Sequence, residues 1–179
     1  MNKTIQQKIE DNHIIFLTNG DIIQTTNDVI IKLLNWNRQS KDIKINLYLA
    51  SDCHSFEHVA AIYDVLTKIE NPISVFCIGH VGAFAMMLLA AASKGERFAL
   101  KHTVFVLEQP IYIVDSGSRQ QTEFEIMAKE ITLERKELEE TLSKAFDIPL
   151  EKIHEYVEND TEFTAEEAKE LGFVDEILE

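Results

Sequence analysis

The architecture of this chain is most strongly indicated by residues 76–91, which read Phe76-Cys77-Ile78-Gly79-His80-Val81-Gly82-Ala83-Phe84-Ala85-Met86-Met87-Leu88-Leu89-Ala90-Ala91. Residues 75–92 are uncharged and nearly long enough to span a membrane,. However, Gly79 and His80 divide them into a β-branched half and a half rich in Ala, Met and Leu. We therefore predict a strand at 73–78, a turn, and a buried helix at 86–92 with Gly95 as its C-terminal cap.

Strands and helices alternate on both sides of this stretch. Apolar runs and alternation predict strands at 14–18, 43–49, 97–100 and 104–107, the first of which ends at the turn pair Asn19-Gly20,. Apolar residues at helical spacing predict one helix capped by Asn27 and another that begins at Ser55,. This order predicts βαβ units and a mostly parallel sheet.

The C-terminal third is helical in pattern. Residues 118–146 contain no Pro or Gly, and their apolar residues recur at intervals of three, four or seven; they are Phe124, Met127, Ile131, Leu138 and Leu142. Such a helix would be about 40 Å long. We expect it to project and bury its apolar stripe against another subunit; the alternative is that it lies on its own core.

Two short helices are predicted after this long one. The first follows Pro149 and runs toward Tyr156,. The second opens with a capping box of Thr164 and Glu167 and is closed by Gly172,.

Composition limits the possible functions. The 179 residues are 45% hydrophobic and 27% charged, which indicates one soluble domain,; we expect an N-terminal segment at 1–13 and a single domain at 14–179. The net charge of −14 argues against nucleic-acid binding,. Cys53 and Cys77 do not make a disulfide framework, and the N-terminus lacks the apolar core of a signal peptide,. We expect a cytoplasmic protein that binds no membrane.

The order and spacing of several segments resemble the ClpP proteolytic subunit, a chambered Ser-His-Asp peptidase, over nearly all of residues 14–178. The segments are Ile14-Ile15-Phe16-Leu17-Thr18, Asn46-Leu47-Tyr48-Leu49, Ala60-Ala61-Ile62-Tyr63-Asp64, residues 76–91 quoted above, Lys94-Gly95-Glu96-Arg97-Phe98-Ala99-Leu100, Gln109-Pro110, Glu123-Phe124-Glu125-Ile126-Met127-Ala128-Lys129-Glu130-Ile131 and Ala165-Glu166-Glu167-Ala168-Lys169-Glu170-Leu171-Gly172-Phe173-Val174-Asp175. The resemblance implies an α/β fold, namely a ClpP/crotonase-like spiral of βαβ units with a long projecting handle helix.

The resemblance also implies where the catalytic residues would lie. The nucleophile position is Ala83, the position of the general base before Gln-Pro is Glu108, and the acid position keeps its carboxylate as Asp160. The family's Ser-Pro-Gly-Gly oxyanion turn reads Ser51-Asp52-Cys53-His54 here. Losing the nucleophile or base of a serine peptidase costs about 10⁶ in turnover. We therefore expect no intact catalytic site, no cofactor and no metal.

These departures predict a non-catalytic ClpP-like subunit that acts as a structural or regulatory partner of Clp-type proteolysis. The resemblance implies assembly with copies of itself as a heptamer or tetradecamer. Active ClpP-like subunits and a Clp ATPase are further candidate partners. Residues 111–117 are more β-branched and less glycine-rich than the family's groove hairpin, so a single ring stays open as an alternative.

A rearranged active site is the other hypothesis. Cys53 with His54, or Cys77 with His80, would have to form a thiol–imidazole pair for a hydrolase. Glu108 could instead serve acyl-CoA chemistry of the crotonase type.

A metal site is a further alternative. His54 and His58 have i, i+4 spacing with Asp52 nearby, and both rings could share one face if the helix began early enough,.

Overall fold

The computed structural model describes residues 3–18, 21–111 and 120–179. Within these residues the chain alternates helices and strands as expected. Their bounds are α1 Ile5–Asp11, β1 Ile14–Thr18, α2 Asp21–Gln39, β2 Ile45–Ser51, α3 Phe56–Lys68, β3 Ile73–Val81, α4 Ala83–Ala90, β4 Arg97–Leu100, β5 Val104–Leu107, α5 Gln121–Phe146, α6 Leu150–Glu158, β6 Thr161–Thr164, α7 Ala165–Glu170 and β7 Glu176–Leu178.

The strands form one mixed sheet. Strands β1, β2, β3, β4 and β7 are neighbours in that order, and each pair is parallel. Strand β5 pairs in parallel with the end of β3, and β6 pairs antiparallel with β5. The predicted α/β fold with a mostly parallel sheet is confirmed.

The hydrophobic core lies on the face of the sheet that carries the helices. Alternation along β2 buries Leu47 and Leu49 completely, and Cys77 of β3 is buried beside them. Helix α4 is buried on all sides from Ala83 to Leu89. Each large side chain removed from water in this way contributes about 1.5–3 kcal/mol, so α4 is a central element of the core.

The opposite face of the sheet carries an aromatic ladder. The rings of Phe16, Tyr48, Phe76 and Phe98 stack across β1 to β4, with centroids 4.9 to 5.0 Å apart. These four residues are register partners on adjacent strands. Phe16 is 48% exposed and the other three are half-buried. The ladder is therefore an apolar surface without a covering helix among the described residues.

Helix α5 has two different halves. Leu138, Leu142 and Phe146 in its C-terminal half are buried in the core, whereas Phe124 and Ile126 near its N-terminus are exposed. The helix begins at Gln121, after a capping box formed by Gln120 and Glu123. Its 26 residues span about 39 Å,. The predicted start at residue 118 lies outside the described residues.

Four boundary predictions were wrong. Strand β3 continues through Gly79 and His80 to Val81 instead of ending in a turn after residue 78. Helix α2 begins at Asp21 and contains Asn27 in its interior, so Asn27 is not its cap. Strand β2 covers Ile45–Ser51 instead of 43–49. Helix α4 begins at Ala83 instead of 86 and ends at Ala90, so Gly95 does not cap it. Gly95, at φ +80°, instead shapes the turn before β4, where the Glu96 amide donates to the Ser93 carbonyl at 3.0 Å.

The predictions for the two short C-terminal helices agree better with the structure. Helix α6 spans Leu150–Glu158, and the Thr164–Glu167 capping box of α7 is confirmed. Gly172 follows α7 at φ +82°, as predicted for a C-terminal glycine,. Strand β6 and helix α1 were not predicted, because β6 has one buried residue, Phe163, and α1 has none.

No helix in the described ranges is both long and apolar enough to span a bilayer.

Candidate degenerate active site

The candidate site lies where β3 turns into α4. Gly82 is the N-cap residue of α4, and its amide donates to the Ser51 carbonyl at the end of β2, at 2.8 Å. A Cβ atom at Gly82 would lie 2.9 Å from the Cα atom of Asp52. Glycine is therefore required at this position because two backbone segments pack directly against each other. Gly82 was not predicted from the sequence as a site residue, although it directly precedes Ala83.

Ala83 is the first residue of α4, and it is only 5% exposed. Its methyl group lines a small cavity of about 10 Å³, whose other walls are Cys53, His54, Phe84, Glu108, Gln109 and Pro110. A cavity of this volume holds about one water molecule. The structure thus brings the nucleophile, base and oxyanion-turn positions of the resemblance to one place.

Glu108 follows β5 and points toward the loop after β2. Its Oε1 atom lies 3.9 Å from Nδ1 of His54 and 3.5 Å from the Cβ position built on Gly82. The carboxylate is therefore held between the β3–α4 turn and His54 in the loop after β2. A negative charge here opposes the development of an oxyanion, which needs hydrogen-bond donors.

Asp160 contacts Gln109, the residue that follows Glu108 in the chain. Its Oδ1 atom accepts a hydrogen bond from the backbone amide of Gln109 at 3.2 Å. Asp160 has φ +46°, a left-handed conformation that few residues other than Gly, Asn and Asp adopt,. The retained carboxylate thus anchors the segment that carries Glu108.

A polar network connects this segment to α5. The guanidinium of Arg135 donates to Gln109 Oε1 at 3.1 Å, to Glu139 at 2.7 Å and to Glu158 at 2.8 Å. Glu139 is a buried carboxylate that also contacts His154 at 3.1 Å. Arg135 could not be predicted from the sequence, because its partners Gln109 and Glu158 lie far from it along the chain and no local motif connects them.

The loop after β2 offers little nucleophilic chemistry. The Cys53 thiol donates to the Ser55 carbonyl at 3.8 Å. Burial raises the pKa of this thiol, and the negative charges of Asp52 and Glu57 add to the increase. The thiolate is the reactive form of cysteine, so Cys53 is a poor nucleophile at neutral pH.

The second thiol–imidazole pair is also unfavourable. Cys77 is fully buried, and burial raises the pKa of its thiol strongly, whereas His80 is exposed. The two side chains thus lie in opposite environments on β3. Cysteine–histidine catalysis needs a hydrogen bond between the thiol and the imidazole, and a buried Cys77 with an exposed His80 does not favour one.

The metal alternative required an early start of α3, but the helix begins at Phe56. His54 therefore precedes the helix and approaches Glu108, whereas His58 contacts the Ser55 hydroxyl through Nδ1 at 2.6 Å. The two rings have different partners, and the described residues contain no cluster of three or more metal-ligating side chains.

The chemistry available in this cavity is limited. Of the side chains on its described walls, Cys53 carries the one thiol and none carries a hydroxyl, and burial raises the pKa of that thiol, which favours its protonated form,. Nδ1 of His54 and Oε1 of Glu108 are 3.9 Å apart, which is beyond hydrogen-bond distance,. The cavity admits about one water molecule, and its walls leave no room for an acyl thioester,.

Comparison with known proteins gives matches over the whole chain. The model of the Clp protease family matches residues 1–179. ATP-dependent Clp protease proteolytic subunit 1 of Bifidobacterium longum is 37% identical over 172 residues, which cover 96% of this chain and 73% of the relative. Proteolytic subunit 2 of Streptomyces coelicolor is 34% identical over 171 residues, covering 96% and 78%, and subunit 2 of Streptomyces avermitilis is 36% identical over 167 residues, covering 92% and 82%.

Proposed function

This chain belongs to the Clp protease family, and from that membership we propose that it is a non-catalytic ClpP-like subunit. In this proposal the protein assembles into rings and serves Clp-type proteolysis as a structural or regulatory partner. Its place of action would be the cytoplasm.

One observation carries the proposal. The side chain at the start of α4, where the family's nucleophile belongs, is the buried methyl group of Ala83. A methyl group cannot attack a carbonyl, and loss of the nucleophile alone costs about 10⁶ in turnover. Glu108 at the base position and the acidic loop after β2 agree with this interpretation.

Labelling with a fluorophosphonate serine probe tests the loss of catalysis. We expect no covalent adduct by mass spectrometry under conditions that fully label an active ClpP-like subunit. We also expect no hydrolysis of fluorogenic peptides. A stoichiometric adduct, or turnover that persists after contaminating peptidases are removed, would refute the proposal.

Two apolar surfaces support assembly. The aromatic ladder lies on the open face of the sheet, whereas Ile31 and Leu34 are exposed on α2, which packs on the opposite side. A contact between two different patches of identical subunits is heterologous, and such contacts close into rings when the rotation permits. The exposed Phe124 and Ile126 near the N-terminus of α5 provide a third surface, suited to a second ring.

Light scattering tests this assembly. We expect the purified protein to have the mass of a heptamer or a tetradecamer. A monomer at micromolar concentration would contradict the ring, and a stable heptamer would favour the single-ring alternative.

Mixing experiments identify the partners. A tagged copy of this protein would be combined with an active ClpP-like subunit, and separately with a Clp ATPase, and each mixture passed over a size-exclusion column. Co-elution with the active subunit would support a mixed-ring regulator. Separate elution from both would favour an independent scaffold.

A further inference from the structure

A groove lies between α3 and α5, one helical turn along α4 from the candidate site. Its volume is about 430 Å³, which is within the range of small-ligand and peptide-anchor pockets,. The apolar lining consists of Phe56 and Ala60 from α3, Met87 from α4 and Leu133 from α5. Leu133 is 66% exposed at the mouth of the groove, so water meets an apolar surface there.

The groove is separate from the cavity at Ala83. The rings of Phe56 and Phe84 are tilted against each other with centroids 5.5 Å apart, and Phe84 lines the cavity on the other side. Met87 lies one helical turn after Ala83 on the same helix. The groove and the cavity are therefore neighbours that share no lining residue among those described, and Ala83, Glu108 and Asp160 do not line the groove.

The rim of the groove is strongly acidic. Four carboxylates line it, from Asp64 on α3 and from Glu134, Glu137 and Glu140 on α5. Among the described lining residues, Lys136 is the one base, and its ammonium lies 3.7 Å from Glu140. Several negative charges thus surround an apolar floor.

Tyr63, which also lines the groove, responds to this negative field. Partial burial raises the pKa of its phenol, and the charges of Asp64 and Glu137 raise it further. The carboxylates of α3 and α5 therefore act on the same space, although they lie on different elements.

We propose that this groove binds a cationic peptide segment of a partner protein, with one aliphatic or aromatic side chain inserted between α3 and α5. Lys or Arg side chains on either side of this anchor would lie against the rim carboxylates. An acidic segment would be repelled by the rim, and a neutral polar one would leave the apolar floor without a matching side chain. The proposal goes beyond the loss of catalysis and does not depend on it.

The proposal is tested with two fluorescein-labelled helical peptides. One has Leu residues at helical spacing and Lys at the other positions, and the second has Glu in place of every Lys. Fluorescence anisotropy at low ionic strength should show saturable binding of the Lys peptide and none of the Glu peptide. Equal binding of both peptides, or binding of neither, would overturn the proposal.

The first variant pair tests the rim. The double variant Asp64→Asn with Glu137→Gln should bind the Lys peptide about fivefold more weakly, since two partly exposed charges contribute about 0.5 kcal/mol each. The control is Glu151→Gln with Glu170→Gln, which makes the same change in net charge on exposed positions away from the groove. An equal loss in the control would identify attraction to the whole acidic protein and refute the site.

The second variant pair tests the apolar anchor. Leu133→Ala should weaken binding about fivefold, whereas Leu150→Ala, an exposed leucine on α6, should leave binding unchanged within about twofold,. Neither side chain is buried, so both variants should fold normally, and circular dichroism checks this. Unchanged binding by Leu133→Ala would overturn the location between α3 and α5.

Discussion

At the scale of single residues, the proposal of a non-catalytic subunit rests on more than the nucleophile position. Ala83, Glu108 and the loop residues Cys53 and His54 line one cavity of about 10 Å³. Glu108 is held close to His54, and the loop backbone at Asp52 lies against Gly82. Restoring one side chain therefore leaves the other requirements of acyl transfer unmet.

Stepwise restoration tests this argument. Ala83→Ser should show no peptidase activity above the unmodified protein, because the position of the imidazole that takes the serine proton in a Ser-His-Asp site is occupied by Glu108. Ala83→Ser with Glu108→His should give measurable turnover, still about 10²–10³ below an active subunit because the oxyanion turn is absent. Fluorogenic peptide hydrolysis measures both.

The unmodified protein is the control for this series. High activity of Ala83→Ser alone would contradict the view that the base and the oxyanion turn have also been lost.

At the scale of elements, the C-terminal half of α5 is packed in the core, whereas its N-terminal half exposes apolar side chains. Leu142 is fully buried in the core, whereas Leu133, nine residues earlier on the same helix, is mostly exposed. The two leucines have the same helix propensity, so they differ only in their surroundings.

This pair gives a stability prediction. Leu142→Ala should lower the free energy of unfolding by about 2–5 kcal/mol through lost burial and a cavity. Leu133→Ala should change it by less than about 0.5 kcal/mol. Urea denaturation followed by circular dichroism measures both, and comparable losses would show that the N-terminal half of α5 is also packed.

The approach to β7 is connected to β4 by an ion pair. The carboxylate of Asp175 accepts hydrogen bonds from the Arg97 side chain at 2.7 and 3.0 Å and from the Arg97 amide at 2.9 Å. Partial burial raises the pKa of the Asp175 carboxyl, but these hydrogen bonds outweigh it and hold the pKa below its ordinary value. The folded state therefore favours the charged carboxylate.

The lowered pKa gives a pH dependence with a defined sign. Asp175→Asn should destabilise the protein by about 2 kcal/mol at pH 7, since hydrogen bonds to charged groups are lost. Because the pKa of Asp175 is lower in the folded state than its value of about 3.9 in the unfolded state, the carboxylate stabilises the folded protein fully at pH values above about 3.9,. This stabilisation is lost as the pH falls through the folded-state pKa. The difference between the two proteins should therefore shrink below about pH 4.

Thermal unfolding from pH 3 to pH 8 measures this difference. Asp42→Asn, on an exposed turn, is the matched control and should have little effect at any pH,. A constant difference between Asp175→Asn and the unmodified protein at all pH values would contradict the assigned role of the carboxylate.

At the scale of the whole molecule, apolar surfaces remain on opposite sides. The aromatic ladder covers one face of the sheet, and α2 exposes Ile31 and Leu34 on the other side. Exposed apolar patches of this kind mark interaction sites in most folded proteins. The proposed head-to-tail ring buries both surfaces in one contact.

Charge substitutions test that contact. Phe16→Glu, and separately Leu34→Glu, should convert the assembly into smaller species, because each places a carboxylate in an apolar interface. Both positions are exposed, so the subunits should remain folded by circular dichroism. Leu150→Glu serves as the control for an exposed charge elsewhere, and unchanged assembly in the first two variants would place the interface on other surfaces.

Local patterns were enough to predict much of the fold. The apolar run around Cys77, the helical spacing in α3 and α5 and the Thr164–Glu167 capping box act through neighbouring residues, so their outcome can be inferred before the chain is folded. The residue types at positions 83 and 108 can likewise be read directly from the sequence.

Contacts between distant segments required the folded chain. The requirement for Gly82 arises from the backbone of Asp52, and the position of Gln109 depends on Asp160 and Arg135, each at least 26 residues away in sequence. The start of α4 at Ala83 is set by Gly82, whose amide donates a hydrogen bond to the Ser51 carbonyl of a neighbouring strand. The acidic groove between α3 and α5 has the same origin, because packing brings together charges that no local motif relates.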